Sequence, residues 1–283
     1  MEEPTLVLPG EVPELCLRAG RLTKPLWVCG SLEGLAGPVV AVVGTRAPSG
    51  GGRRLAFETA RRLGEAGVCV VSGLALGIDA AAHEGALAAG APTIGVLGGG
   101  HRRFFPKSNL VLAERMAGHG GAVVSPYAPE RDAFPPHFLQ RNAIVAALSD
   151  GVVVVEAAAR SGALNTASHA ADLGIPVMAF PGDVDRPKVA GCLALLRDGA
   201  TLVRDASDIL EALGLQAART TAPRAALGVE ERAIVAALSD GELDFETLLS
   251  RTRCRPPALA SRLVELEMRG VIESRTGDRY ALT

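Results

Sequence analysis

The sequence predicts an α/β protein: an extended Rossmann-like, doubly wound, mostly parallel sheet, plus a small C-terminal winged-helix domain. Three observations predict it. Seven short apolar runs alternate with helical stretches from residue 39 to residue 213, and most glycines and polar residues gather just after those runs. Strands apolar on both faces and separated by helices belong to parallel sheets covered on both sides. Beyond residue 226, three helical patterns and a hairpin follow in about 58 residues, the plan of a winged helix.

Residues 1–37 hold several Pro and Gly with weak periodicity, and read as an irregular lead-in packed through Leu15, Leu17, Leu26 and Trp27. The run Val-Val-Ala-Val-Val at 39–43 is the first buried strand, and the pattern from 53 to 66 the first helix. Strand 68–72, helix 79–89 and strand 93–97 follow, with Asp79 placed to cap the second helix. Next come helix 108–118, strand 122–124, helix 136–148, strand 152–155, helix 163–173 and strands 176–180 and 201–203, closed by a helix near 206–213. The stretch 216–226 is a linker by composition, so the expected domains are 38–215 and 227–283. In the second, helices 230–238, 245–252 and 256–269 precede Gly270, and strands 271–274 and 279–282 flank the turn Thr276-Gly277-Asp278.

Composition excludes several classes. No apolar run approaches the roughly 20 residues that span a bilayer, and the acidic start Met-Glu-Glu-Pro-Thr is unlike a signal peptide, so a cytoplasmic protein with no membrane partner is expected. The five cysteines are scattered, form no Cys-x-x-Cys pair and offer neither a disulfide framework nor a zinc site; no metal and no cofactor are expected. There is no Gly-x-x-x-x-Gly-Lys-[Ser/Thr] loop, no Gly-x-Ser-x-Gly elbow, and the spacing after Gly98-Gly99-Gly100 is not a dinucleotide fingerprint. The net charge of −2 gives no bulk attraction to nucleic acid, so any such surface must come from local arrangement. All but 3 of the 29 cations are arginine, which suits bidentate phosphate contact and base stacking.

Four turns stand at the C-terminal ends of the expected strands: Gly44-Thr45-Arg46 with Ser49; Ser72 to Asp79; Gly95 to Gly100, running on to Asn109; and Glu156 to Thr166. Each alone reads as a cap or a turn. Together on one rim of a parallel sheet, where such folds bind ligands, they read as a site for phosphate. Residues 101–142 hold Phe104, Phe105, Tyr127, Phe134 and Phe138, interleaved with Arg102, Arg103, Lys107, Arg131 and Arg141. Aromatic faces beside cations are what single-stranded nucleic acid needs, although any one of these rings alone reads as core. His83 and His169 have no nucleophile beside them, and Asp79 and Glu156 are explained by capping and solvation. Binding is therefore expected over catalysis, with no catalytic residue assigned.

Taken in order, these motifs resemble the DNA-processing protein A family, also called DprA or Smf. The resemblance rests on Val43-Gly44-Thr45-Arg46-x-x-Ser49, Ser72-Gly-Leu-Ala-x-Gly-Ile-Asp79 and Phe105-Pro106-Lys107-x-Asn109. It continues through Phe138-x-x-Arg141-Asn142, Val154-Val155-Glu156, Ser161-Gly162-x-Leu164-x-Thr166-Ala167 and Ala179-Phe180-Pro181-Gly182. It implies a non-enzymatic, single-stranded DNA-binding homodimer that protects incoming DNA during natural transformation and competence and helps load the RecA recombinase, with single-strand-binding protein as a further partner. Carried over by residue, it implies that Arg46, Ser49 and nearby backbone of Gly44 and Thr45 hold a phosphate at a helix N-terminus. It further implies that Lys107 contacts another phosphate, that Gly73, Arg141, Asn142, Gly162 and Thr166 line the DNA-binding pocket, and that Phe138 offers a stacking face. Two positions depart from the family pattern: Leu193 stands where a polar residue is usual, and Ala143 where a second arginine is common. The segment 226–283, with 8 basic and 10 acidic residues, is poorly suited to duplex DNA.

Two rivals follow from the same sequence. A nucleotide phosphoribohydrolase of the lysine-decarboxylase-like (LOG) family would share the core, but its Pro-Gly-Gly-x-Gly-Thr-x-x-Glu motif has no glutamate counterpart in 160–168. A duplex-binding regulator would act through the winged helix.

Overall fold

The computed structural model describes residues 3–10, 15, 20–22, 24–215, 229–238, 241–252, 254, 256–268, 272–275 and 279–282. Leu17, the expected linker 216–226, Gly270, Val271 and the turn 276–278 lie outside the described residues. The chain divides into two compact units, Met1–Ala218 and Arg219–Thr283.

The first unit is built on a nine-stranded sheet: β1 (Thr5–Val7), β2 (Leu26–Gly30), β3 (Val39–Val43), β4 (Cys69–Ser72), β5 (Thr93–Val96), β6 (Ala122–Ser125), β7 (Gly151–Val154), β8 (Val177–Ala179) and β9 (Thr201–Leu202). Their spatial order is β1-β2-β6-β5-β4-β3-β7-β8-β9. From β6 to β9 every pairing is parallel, while β1–β2 and β2–β6 are antiparallel. The order reverses at β3, between β4 and β7, which is the switch point of a doubly wound sheet. The helices are α1 (Gly50–Glu65), α2 (Ile78–Ala88), α3 (Leu110–Gly118), α4 (Pro135–Ala147), α5 (Gly162–Asp172), α6 (Ala190–Arg197) and α7 (Ala206–Ala212).

Strand alternation sorts the core into layers. Val39, Ala41 and Val43 face Ile144 of α4, Leu148 just beyond its end, and Ala163, Ala167 and Ala170 of α5. Val40 and Val42 face Ala56, Ala60 and Leu63 of α1, Ile78 and Ala82 of α2 and Ile209 of α7. A third cluster seats Leu112, Ala113 and Met116 of α3 over Leu97 and Val123. Because both faces are covered, β3 has no exposed residue, as its unbroken apolar run requires.

Two differences from the sequence reading have physical causes. The lead-in is not wholly irregular, because β1 and β2 extend the sheet. β6 is fully buried, and as an edge strand it would present an apolar side and unpaired backbone groups; β2 covers it. Three- and five-residue strands set among Pro and Gly carry little periodic signal. Also, α1 begins at Gly50 rather than 53, since Ser49 caps it by accepting the Gly52 N–H at 2.9 Å. Three successive glycines, poor helix formers, hid that first turn.

The second unit holds α8 (Val229–Ala237), β10 (Leu243–Asp244), α9 (Phe245–Thr252), α10 (Pro256–Met268), β11 (Ile272–Arg275) and β12 (Arg279–Leu282). Its sheet runs β10-β12-β11, all antiparallel, with the expected hairpin β11–β12 joined by the unforeseen strand β10. Ile234, Leu238, Leu248, Leu259, Leu263, Leu266 and Ile272 make its own core. Among the described residues no helix is long and apolar enough to cross a membrane, and no group of three potential metal ligands occurs.

Candidate nucleic-acid interface

β3, β4, β5 and β7 end along one edge of the sheet, and the turns that follow them converge there. The turn after β3 is held at both ends by one residue. The Thr45 N–H donates to the Glu156 carbonyl at 2.7 Å, and the Ser49 N–H to Glu156 Oε2 at 2.8 Å. The Ile78 N–H donates to the Thr45 carbonyl at 3.2 Å, and Lys188 Nζ to the Ala47 carbonyl at 2.7 Å. Gly77 packs directly on this turn: its φ is +85°, and a Cβ there would lie 2.5 Å from the Thr45 oxygen.

Asp79, expected to cap α2, does not: it sits inside the first turn and reaches back. Its Oδ2 accepts the N–H groups of Gly73 at 3.1 Å and Ala75 at 3.3 Å, closing a loop in which Leu74 adopts φ 52°. Asn109 locks the same loop by donating from Nδ2 to the carbonyls of Leu74 at 2.9 Å and Ala75 at 3.1 Å.

On α4, Phe138, Arg141 and Asn142 share a face through i, i+3 and i+4 spacing. Arg141 is 3% exposed, and its Nη1 donates to the carbonyls of Gly73 and Val96 at the ends of β4 and β5. Burial lowers its pKa to about 10 against the opposing pull of Asp79, and Arg46 lowers it further. Burial likewise pushes the Asp79 carboxyl up, with Arg141 and the N–H groups of Ala75 and Gly73 acting the other way. Arg141 thus ties strand ends together beneath the site. The Asn142 amide donates to the Gly162 carbonyl at 3.1 Å and to Asn165 Oδ1 at 3.2 Å, joining α4 to α5.

These groups enclose a cavity of about 160 Å³. Gly44, Thr45, Arg46, Gly73, Phe138, Arg141, Asn142, Gly162 and Thr166, all candidates from the sequence, line it. The Arg46 guanidinium carbon lies 5.2 Å from the centroid of the Phe138 ring, so cation and aromatic face act as one wall.

Ser49 and Lys107 do not line it. Ser49 is committed to capping α1 and to Glu156. Lys107 lies in a second groove of about 700 Å³ with Arg102, Arg103 and Phe105. The grooves meet at two rings, Phe105 and Phe138, whose centroids are 5.9 Å apart. In that groove Arg102 pairs with Glu3 and with Glu130, and Arg103 lies 3.8 Å from Asp132. Lys107 is exposed and makes no salt bridge among the described residues. Of the other expected aromatics, Phe104 is core at 8% exposure, Tyr127 stacks on His137 at 4.2 Å, and Phe134 is 49% exposed under Arg131 at 5.9 Å. Ala143 faces a separate cleft that holds Arg21 and Lys24, not the main cavity. Glu156 is the residue whose part the sequence reading missed: its Glu-to-turn contacts span 107 residues of chain and leave no local signature.

The family model of DNA recombination-mediator protein A matches residues 7–214, and that of the DprA winged helix domain matches residues 216–278. Protein Smf of Escherichia coli is 34% identical over 261 residues, 89% of this chain and 70% of its own length. The structure of DNA processing protein A from Streptococcus pneumoniae superposes with a TM-score of 0.67 at 36% identity, covering 74% of each chain. That of Helicobacter pylori, described for its single-stranded DNA binding mode, gives 0.66 at 27% identity, covering 75% of this chain and 95% of its own. The match over 7–214 favours this family over the phosphoribohydrolase alternative.

Proposed function

The chain belongs to the DNA recombination-mediator protein A family, and on that premise we propose that it binds single-stranded DNA along the rim of its large sheet. The observation that carries this is the wall formed by Arg46 over Phe138, continued through Phe105 to Lys107. A flexible strand can lay phosphates on Arg46 and Lys107 and a base on the exposed Phe105 and half-buried Phe138 between them. Gly44, Thr45, Gly73, Gly162 and Thr166 shape the cavity, and Arg141 and Asn142 hold its walls. A duplex cannot present its bases to those rings. Because all these cations gather on one rim, a net charge of −2 is no obstacle.

Family membership supports the rest of the reading: a homodimer that shields incoming strands during natural transformation and hands them to RecA, with single-strand-binding protein as a further partner. It acts by binding rather than by a covalent step, in the cytoplasm.

The test is a titration of the full chain against oligothymidylate and matched duplex across salt concentration. Arg46→Ala and Lys107→Ala should each weaken single-strand binding and lower the magnitude of the log–log salt slope by about 0.7, the share of one phosphate. Unchanged affinity in both variants would overturn the assignment.

A further inference from the structure

The N-terminus of a helix that follows the first central strand is where an α/β fold commonly receives a phosphate. In this chain a side chain already stands there. Glu156 is 2% exposed; its Oε2 accepts the Ser49 N–H at 2.8 Å, and its Oε1 lies 3.3 Å from Arg186 Nη2. It lies so close to the first turn of α1 that a Cβ on Gly52 would come within 2.5 Å of Oε2. Gly50 and Gly51 are exposed, so bulk does not seal this helix end. What fills it is negative charge. Arg186 offsets part of that charge, but its side chain is 45% exposed and screened by water.

We infer that Glu156 is a selectivity residue, one that keeps phosphate monoesters away from the α1 terminus and leaves the singly charged diesters of a strand to Arg46 and Lys107. A monoester carries close to two negative charges at neutral pH and a diester one, so a fixed carboxylate penalises the monoester about twice as heavily. Nucleoside 5′-phosphates and phosphorylated 5′ ends are thereby disfavoured, and the internal run of a strand is favoured. This inference rests on the single-strand reading above for its biological sense, but its phosphate test does not require DNA to bind.

The test compares the full chain with Glu156→Gln, which retains an oxygen to accept the Ser49 N–H and removes the charge. Inorganic phosphate and thymidine 5′-monophosphate are titrated by calorimetry, and 5′-hydroxyl and 5′-phosphoryl oligothymidylate by fluorescence anisotropy. The unsubstituted chain should bind both oligonucleotides within about twofold of each other. The variant should gain about tenfold in affinity for phosphate and the monophosphate, and prefer the phosphorylated over the 5′-hydroxyl oligonucleotide by a similar factor. A folded variant with no gain for phosphate overturns the inference. So does an unsubstituted chain that prefers the 5′-phosphoryl strand by about tenfold. Should thermal melting show that Glu156→Gln does not fold, the unsubstituted comparison decides: equal affinities support the role and a preference ends it. If neither oligonucleotide binds, the single-strand reading fails by itself, while a phosphate gain in Glu156→Gln still supports the charge barrier and its absence still removes it.

Discussion

Phe138 has Arg46 at 5.2 Å and Phe105 at 5.9 Å, so its ring holds the two grooves in register as well as offering a face. Phe138→Leu should weaken oligothymidylate binding by about 1–3 kcal/mol while leaving the salt slope unchanged, because stacking is lost and no phosphate contact is. Ser49 separates capping from binding: Ser49→Ala should cost about 1 kcal/mol in urea unfolding and leave DNA affinity intact. His83 supplies a pH dependence. Thr93 Oγ1 donates to the Val70 carbonyl at 2.7 Å, so the contact of 2.7 Å from His83 Nδ1 to the same hydroxyl is an N–H donation from a neutral ring. Burial, and then Arg141, lower the His83 pKa to about 3. The unfolded chain therefore takes up a proton near pH 6.5 that the folded chain refuses. Stability is complete above that pH and falls as pH drops toward 3, by about 1.4 kcal/mol per unit. His83→Gln should remove this slope between pH 6.5 and 5 in urea titrations; an undiminished slope would assign it elsewhere.

The turns obey local chemistry, which is why they were legible. Gly44-Thr45-Arg46 and Ser72 to Asp79 announce themselves by glycines and cap-forming residues directly after β-branched runs, and the structure brings both to one cavity. Arg141 was legible as a residue of the site, but not as a buried tie between strand ends, because that depends on how far β4 and β5 project. Lys107 is legible as a contact to another phosphate, but its place in a second groove, with the Phe105–Phe138 pair between it and Arg46, is not; spacing along the chain does not reveal which side of a ring a cation takes. At Gly77, φ +85° and the closeness of the Thr45 oxygen leave no room for a side chain. Gly77→Ala should cost about 1–3 kcal/mol in unfolding and also weaken DNA binding, since the displaced oxygen belongs to the turn that carries Arg46.

The two compact units divide the labour. The proposed contacts all lie in the first; among the described residues of the second, Arg262 pairs with Glu265 at 2.7 Å and Arg279 with Glu242 at 2.9 Å. Truncation after Leu215 should therefore leave oligothymidylate affinity within about threefold, whereas loss of most DNA affinity would favour a duplex regulator working through the winged helix. The doubly wound plan was legible because β3, β4 and β7 are buried along their whole length and carry runs of valine; β1 and β2 were not, because an antiparallel edge strand of a few residues resembles a loop. The clamp that Glu156 places on the turn at 45–49 bears on biosynthesis. While the protein is being made, Arg46 leaves the ribosome long before Glu156 does, and until β7 has docked its turn lacks the two hydrogen bonds that hold its ends. On the single-strand reading proposed above, a fully shaped Arg46 turn thus arrives late in translation, after most of the large sheet has been made.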